Sequence, residues 1–262
     1  MKQFAIVGCG KMGQALAKSI IPAIPCSCIC CDVSDDALQN TKSVIGDKAS
    51  YTKDIPTVAE QCDVVLVAVK PIHAPKVLNI LGNGIQKTIL SIVAGFSVDM
   101  LRSMSNQQNV IRIMPNTPAL VKHGSIVVYD DNLPENIQSL IKQLFANAGF
   151  VHFVKNENMM DAVTALSGSA PALFAIMVEA LADAAVQQGL TRNLANDLAR
   201  ETMLGTAKLL ELQHPDILKE NVMSPGGTTA AGIIAAEKAG FRSAAQAFVI
   251  AAAQKSRDLN RP

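Results

Sequence analysis

The sequence predicts an α/β protein with an N-terminal Rossmann domain, a doubly wound and mostly parallel sheet, followed by an all-α domain. Short apolar runs alternate with helical patterns over the first 154 residues, and a glycine-rich loop follows the first of these runs. Runs rich in β-formers are absent after about Val154. We therefore place the Rossmann domain at residues 1–154 and the helical domain at residues 155–262.

The first part of the chain begins with an apolar strand at Lys2–Val7 and a helix at Lys11–Ile21, which Pro22 ends. A second strand follows at Ser27–Cys31, and Ser34, with two aspartates after it, begins the next helix. Later apolar runs have the length and composition of strands that are covered on both faces. They lie at Asp63–Val69, Thr88–Val93 and Val110–Ile113, with edge strands expected at Ser125–Tyr129 and Phe150–Val154.

The second part is helical. A long helix is predicted over Asn158–Gln188, with a kink or a true start at Pro171 and an end at Gly189. Between Ala162 and Ala182 its only charge is Glu179, so it should be surrounded on all sides. The helical part is too short to enclose such a helix, which predicts a homo-oligomer. The remaining predicted helices are Thr191–Leu212, Thr228–Ala239 and Ser243–Leu259.

The overall composition excludes several classes of protein. Hydrophobic residues make up 49% of the 262 residues and charged residues only 17%, which excludes a disordered chain. The 23 basic and 22 acidic side chains leave no net field to attract nucleic acid or a membrane. The apolar run at Phe4–Val7 is too short for a secretion signal. We expect a cytoplasmic protein with neither a nucleic-acid nor a membrane partner.

The six cysteines all lie in the first 62 residues, and Cys28 and Cys31 have C-x-x-C spacing. A zinc site would need a second pair of ligands, and the four histidines are scattered. We interpret the cysteines as small buried side chains in a reducing compartment and expect no metal.

The glycines Gly8, Gly10 and Gly13 form a G-x-G-x-x-G motif between the first strand and the first helix. In a Rossmann domain these glycines allow a tight turn, the approach of a pyrophosphate and close packing of helix on strand. The sequence therefore predicts a dinucleotide site. Besides the three glycines, its expected residues here are Val7, Cys9, Lys11 and Met12.

The choice between NADH and NADPH is open. Asp32 lies 19 residues after Gly13 at the end of the second strand, where a carboxylate binds the ribose hydroxyls of NAD. It could instead cap the next helix or serve in a solvated turn. Lys11 and Lys53 are near enough in sequence to make a site for the extra phosphate of NADPH conceivable.

Two further strand ends should face the nicotinamide, because ligands of such sheets bind outside the carboxyl ends of the strands. The residues concerned are Ala68, Val69, Lys70, Pro71, Val93 and Ala94. Lys70 could equally be a surface lysine. The loop 114–118 ends another strand and forms either a rigid turn or part of the same crevice.

A second glycine-rich loop precedes the predicted helix at Thr228–Ala239. It offers free backbone N–H groups and hydroxyls at a helix N-terminus, which suits a small carboxylate. The alternative is that its glycines and threonines only cap the helix. The residues expected to bind substrate are Asn221, Ser224, Gly226, Gly227, Thr228 and Thr229. With no evident nucleophile or pair of carboxylates, the chemistry expected is hydride transfer.

Five motifs resemble those of the pyrroline-5-carboxylate reductases, which catalyse the last step of proline synthesis. They are GCGKMG (8–13), VAVKP (67–71), MPNTPA (114–119), LSGSAPALF (166–174) and MSPGGTTAAGI (223–233). The chain departs from the family pattern at Ala170 and Leu173, in the helix that forms the subunit core.

The resemblance implies a dimer with interlocked helices, which in this family often assembles further, up to a decamer. It implies NADPH as the commoner reductant, with NADH also used, and 1-pyrroline-5-carboxylate as the substrate. Carried over by position, residues 224–229 bind the substrate carboxylate, and the hydroxyl of Thr229 meets the ring nitrogen and is the catalytic group.

Two other functions were weighed. A β-hydroxyacid dehydrogenase shares the glycine motif and a helical second domain, but it needs a lysine in the long helix, and none occurs between Lys155 and Lys208. A nucleotide-sensing module would need the first domain but not the loop 224–229.

Overall fold

The computed structural model describes residues 3–259. Its strands are β1 Gln3–Val7, β2 Ser27–Cys31, β3 Ser50–Thr52, β4 Val64–Val67, β5 Thr88–Ser91, β6 Val110–Met114, β7 Gly124–Tyr129 and β8 Gly149–Val154. Its helices are α1 Lys11–Ile20, α2 Asp35–Ile45, α3 Ile55–Gln61, α4 Ala74–Gly82, α5 Val98–Ser105, α6 Glu135–Phe145, α7 Met159–Val163, α8 Ala170–Gln187, α9 Arg192–Leu209, α10 Pro215–Val222, α11 Thr228–Lys238 and α12 Phe241–Leu259. Lys2, in the predicted first strand, lies outside the described residues.

The eight strands form one sheet in the order β3-β2-β1-β4-β5-β6-β7-β8. Strands β1 to β6 are parallel, β7 is antiparallel to β6, and β8 is parallel to β7. The carboxyl ends of the first six strands therefore share one edge. The strand order reverses between β1 and β4, which is where doubly wound sheets bind their ligands. The predicted fold class is confirmed.

Both faces of the sheet are covered, as the apolar runs predict. Alternate residues of β1 point to opposite faces. Phe4 and Ile6 join a core cluster under α1 and α6, whereas Ala5 and Val7 join another under α3, α4 and α5. All four residues are at most 2% exposed.

One prediction about the sheet is wrong. Ser125–Tyr129 was expected to be an edge strand, but β7 is hydrogen-bonded to both β6 and β8. Only β8 of this predicted pair lies at an edge of the described sheet. Helix α6 joins the parallel pair β7 and β8 as a crossover, and such a crossover is not visible in the apolar pattern of either strand.

The long helix predicted after Asn158 runs from Met159 to Gln187, with a π-helical segment at Thr164–Ser169 just before Pro171. Proline has no N–H to donate to the carbonyl four residues earlier, which here belongs to Ser167. That carbonyl accepts a hydrogen bond from Nδ2 of Asn116 at 3.1 Å. The Oδ1 of Asn116 accepts the Ser125 N–H at 2.8 Å, so this buried amide serves the loop 114–118 as a rigid support.

We expect Asn116→Ala to destabilise the protein by about 1–3 kcal/mol, because it leaves the partly buried Ser125 N–H and Ser167 carbonyl without this partner. Urea unfolding at a fixed protein concentration measures the loss. The control Asn136→Ala removes an exposed amide from α6 and should change the free energy of unfolding by less than about 0.5 kcal/mol. Equal stability of the two variants would contradict this role of Asn116.

The chain forms two compact units that differ from the predicted division at Val154. The first contains residues 3–169 together with 252–259, and the second contains residues 170–251. Helix α7 belongs to the first unit because Met160 is fully buried in a cluster with Met114 and Val127. The end of α12 returns to it because the Ser256 hydroxyl donates to Asp161 Oδ1 at 2.6 Å.

In the second unit α8 packs against α9, yet much of its apolar surface stays open. Phe174, Ile176 and Leu181 of α8 are each more than half exposed. The helix Met159–Gln187 has a mean hydropathy of 1.6 in its most apolar window, and only 17% of that window is buried. By length and composition alone it could cross a membrane. A single chain therefore leaves a large apolar surface uncovered.

Candidate active site

The first glycine loop continues the sheet at the point where the strand order reverses. The Gly8 N–H donates to the Cys31 carbonyl of β2 at 2.8 Å, and the Ala68 N–H donates to the Val7 carbonyl at 2.7 Å. Gly8 has a φ of +102°, and a Cβ there would lie 2.6 Å from the Ala68 carbonyl. Only glycine satisfies both constraints.

The other two glycines of the motif have different surroundings. A Cβ on Gly13 would lie 1.9 Å from the carbonyl oxygen of Gly8, so this glycine lets α1 pack against the loop. Gly10 has an ordinary φ of −69°, and a Cβ there would meet nothing within 4 Å. The space beside Gly10 is thus open at the N-terminus of an uncapped helix, which fits a pyrophosphate.

The remaining predicted residues of this loop differ in their exposure to solvent. Val7 and Cys9 are buried, at 2% and 1% exposure, so they can offer a cofactor only their backbone. Lys11 is exposed on the first turn of α1, and Met12 is half-buried. Lys11 is the cation of this loop.

Asp32 braces the glycine loop. Its Oδ2 accepts the Cys9 N–H at 2.6 Å, and its Oδ1 accepts the Ser34 N–H at 2.9 Å. Asp32 does not cap α2, because the Ser34 hydroxyl accepts the Ala37 N–H and is the cap. Its exposed bond with the Ser34 N–H agrees with the alternative of a turn contact. Asp32 thus lies beside the loop, where the ribose of a dinucleotide is expected.

The ends of β4 and β5 run side by side at the same edge. The Ile92 N–H donates to the Val67 carbonyl at 3.1 Å, which brings the segment after β5 next to the one after β4. The predicted residues at these ends differ in exposure: Ala68, Val69 and Ala94 are half-buried, Val93 is buried, and Lys70 and Pro71 are exposed. The structure therefore gathers every predicted cofactor residue at one edge, and their contact with a cofactor stays a prediction.

Sequence reasoning missed three residues that hold the segment after β5. The Val98 N–H at the start of α5 donates to Glu157 Oε1 at 2.8 Å, and the buried Arg112 donates to the same oxygen at 3.0 Å. Leu259, in the last turn of α12, packs on Gly95, where a Cβ would lie 3.3 Å from its own. These contacts join distant parts of the chain, and no local pattern signals them.

The second glycine loop is a turn with a fixed shape. The Gly227 N–H donates to the Ser224 carbonyl at 3.0 Å. Pro225 occupies the second position and Gly226, with a φ of +70°, the third, as in a type II turn. A Cβ on Gly227 would lie 2.3 Å from the Ser224 hydroxyl oxygen, so these two residues lie in close contact.

The turn leads directly into α11, and Gly227 is the N-cap residue of that helix. The capping alternative is therefore correct for this glycine and wrong for Thr228 and Thr229, because no side chain caps the helix. The N–H groups of the first turn and both threonine hydroxyls remain available for a ligand. Asn221 is exposed in α10, and its Nδ2 donates to Gln213 Oε1 at 3.1 Å rather than to the loop. Its role in binding stays a prediction.

Comparison with known proteins follows this geometry. Residues 157–259 match the family described as pyrroline-5-carboxylate reductase dimerisation, and residues 3–95 match that described as NADP oxidoreductase, coenzyme F420-dependent. The chain is 39% identical over 269 residues to pyrroline-5-carboxylate reductase of Synechocystis sp., covering 99% of this chain and 98% of that protein. It is 36% identical over 264 residues to the Arabidopsis thaliana enzyme of the same name, covering 97% and 94%.

The chain belongs to the pyrroline-5-carboxylate reductases. The crystal structure of Plasmodium falciparum pyrroline carboxylate reductase with NADP bound superimposes with a TM-score of 0.86 at 30% identity, over 99% of this chain and 98% of that one. The chain is an oxidoreductase, and because its relatives are named pyrroline-5-carboxylate reductase over nearly its full length, we set aside the interpretations as a β-hydroxyacid dehydrogenase and as a nucleotide sensor.

The six cysteines of the chain are all free. Burial raises the pKa of Cys28 and of Cys31 to about 12, so both stay protonated thiols at neutral pH. A hydrogen bond with Cys30 holds the pKa of Cys9 below its usual value. In the part of the chain that the structure describes, no group of three or more histidine, cysteine or acidic residues is placed to hold a metal ion.

Proposed function

We propose that this chain reduces the cyclic imine 1-pyrroline-5-carboxylate to L-proline, the last step of proline synthesis, by hydride transfer from NADPH to the imine carbon. The observation that carries the proposal is the match, over nearly the full length of both chains, to relatives named pyrroline-5-carboxylate reductase. Two glycine-rich loops support the proposal, because each precedes a helix whose N-terminus has no side-chain cap.

NADPH is the proposed reductant, with NADH as a weaker alternative. The family match over residues 3–95 and the solved relative with NADP bound support NADPH. When bound, the nicotinamide supplies the hydride. The chain's part is to hold the pyrophosphate at the open space beside Gly10, with Lys11 as a nearby cation.

The loop 224–229 is the proposed substrate site. A carboxylate suits the N-terminus of α11, because the helix dipole and free N–H groups favour an anion there. The Ser224 hydroxyl is in contact with Gly227, so it can join these donors. The hydroxyl of Thr229 is the proposed partner of the ring nitrogen. It would orient the imine and stabilise the amine as it forms.

Consumption of NADPH in the presence of 1-pyrroline-5-carboxylate tests the activity, and L-proline should appear in equal amount. A 3-hydroxy acid with NADP⁺ should give no reaction. L-proline with NADP⁺ in alkaline buffer should drive the reverse reaction. Nucleotide binding without turnover in either direction would instead identify a sensor and reject the proposal.

The match to a dimerisation family shows a homo-oligomer. We propose a dimer that can assemble further, up to a decamer, in which a second copy covers the open apolar surface of α8. We also propose a cytoplasmic location, which six free thiols support. No nucleic-acid or membrane partner is proposed, since the formal charge is only +1.

Sedimentation at micromolar concentration should show a dimer or a larger assembly. Ile176→Glu puts a charge on the open face of α8, where Ile176 is 58% exposed, and should dissociate the assembly because burying an unpaired charge is costly. The control Val44→Glu puts the same charge on α2, at a valine that is 51% exposed, and should leave assembly unchanged. An active wild-type monomer would contradict the dimer, and a requirement for detergent would favour a membrane instead.

A further inference from the structure

The ends of β2 and β3 lie together at the edge of the sheet where a cofactor ribose is expected. The Asp32 N–H donates to the Thr52 carbonyl at 3.2 Å, so Lys53 directly follows the residue that is paired with Asp32. Asp32 itself accepts the N–H of Cys9 in the glycine loop. The chain thus brings Lys53 to the same place as the loop that would hold the pyrophosphate.

This edge carries mostly negative charge. Asp35 and Asp36 occupy the first turn of α2, Asp32 braces the loop, and Asp54 follows Lys53. Both side-chain oxygens of Asp32 already accept backbone N–H groups. An added phosphate here would meet repulsion from these carboxylates unless a cation lies within reach.

Lys53 is a cation at this edge that is paired with one of these carboxylates. Its Nζ lies 2.6 Å from Asp35 Oδ2, and the side chains are 51% and 82% exposed. An ion pair so exposed to water contributes little to stability and can be exchanged at small cost. A phosphate ester offers the same ammonium up to two negative charges and several acceptor oxygens.

We propose that Lys53 is the residue that admits NADPH, by exchanging its ion pair with Asp35 for one with the 2′-phosphate. The inference rests on the proposed function, because it assumes that a nicotinamide dinucleotide binds at this edge. NADH lacks the 2′-phosphate, so Lys53 keeps its ion pair with Asp35 when NADH is bound. With NADPH bound, the charge of Lys53 would offset the repulsion between the 2′-phosphate and the carboxylates of Asp32, Asp35 and Asp36.

Direct binding tests this selectivity without turnover. Titration calorimetry on the full-length protein compares NADPH with NADH, and adenosine 2′,5′-bisphosphate with ADP. Lys53→Met should weaken the binding of NADPH and of the bisphosphate by roughly tenfold to a hundredfold, the range of a charge-assisted hydrogen bond. The affinity for NADH should change by less than about twofold. Asp35→Asn should strengthen NADPH binding by about two- to fivefold, since the lysine then has no competing partner.

The matched controls are Lys48→Met and Asp47→Asn. Both residues are exposed and precede β3, whereas Lys53 follows the carboxyl end of that strand. Neither control variant should therefore change the ratio of the NADPH affinity to the NADH affinity. Lys53→Met acting equally on NADPH and NADH, or on neither, would overturn the inference alone. A wild-type protein that binds neither nucleotide would overturn the proposed function as well.

Discussion

Gly10→Val should prevent tight cofactor binding while the protein stays folded. A Cβ at Gly10 meets nothing within 4 Å, and its φ of −69° suits valine. The branched side chain would instead fill the open space at the N-terminus of α1 that the pyrophosphate needs. We expect the dissociation constant for NADPH to rise by at least about a hundredfold, or about 2.8 kcal/mol. Calorimetric titration measures it.

Gly13→Ala serves as the comparison for folding stability, because it should lower the stability that Gly10→Val leaves unchanged. Its Cβ would lie 1.9 Å from the Gly8 carbonyl oxygen, so α1 must shift, at a cost to folding of about 1–3 kcal/mol. Thermal unfolding of the two variants separates the effects. Unchanged NADPH affinity in Gly10→Val would show that the cofactor does not bind at this loop.

Thr229→Ala should lower kcat/KM by roughly one to three orders of magnitude, at about 1.4 kcal/mol for each factor of ten. A hydrogen bond to the ring nitrogen strengthens as the imine becomes an amine, so its loss should appear in kcat. The position of Thr229 also separates a catalytic effect from a loss of stability. Thr229 lies in the first turn of α11 and no side chain caps that helix, so its removal should cost little stability.

One residue of the same loop serves as the comparison. Ser224→Ala should raise KM more than it lowers kcat, because binding of the substrate carboxylate hardly changes during hydride transfer. Affinity for NADPH should stay near that of the wild type in both variants. Wild-type kinetics in Thr229→Ala would leave this residue without a catalytic role, and a loss confined to KM would make it a binding residue.

The sequence predicted the fold closely where short-range physics decides it. Gly8 and Gly13 follow an apolar strand and precede a helix, and steric contact requires both to be glycine. Ser34 begins α2 as predicted because its hydroxyl caps the first turn. The parallel strands are buried on both faces, so they are visible as continuous apolar runs.

Long-range contacts could not be predicted in this way. Asn116 bonds Ser167 because Pro171 has no N–H, but only the fold brings the amide to that carbonyl. The return of Ser256 and Leu259 to the first unit likewise depends on packing between residues far apart in sequence. Asp32 was expected to meet the ribose, and its bond to the Cys9 N–H appears only once the two strand ends are adjacent.

The most direct test of the proposed function follows the hydride itself. NADPH carrying deuterium at both C4 positions of the nicotinamide is incubated with 1-pyrroline-5-carboxylate and the wild-type protein, and the product is examined by mass spectrometry and NMR. The proposed reaction predicts L-proline with a single deuterium on its δ carbon, the former imine carbon. Proline without deuterium there, or no proline at all, would contradict it.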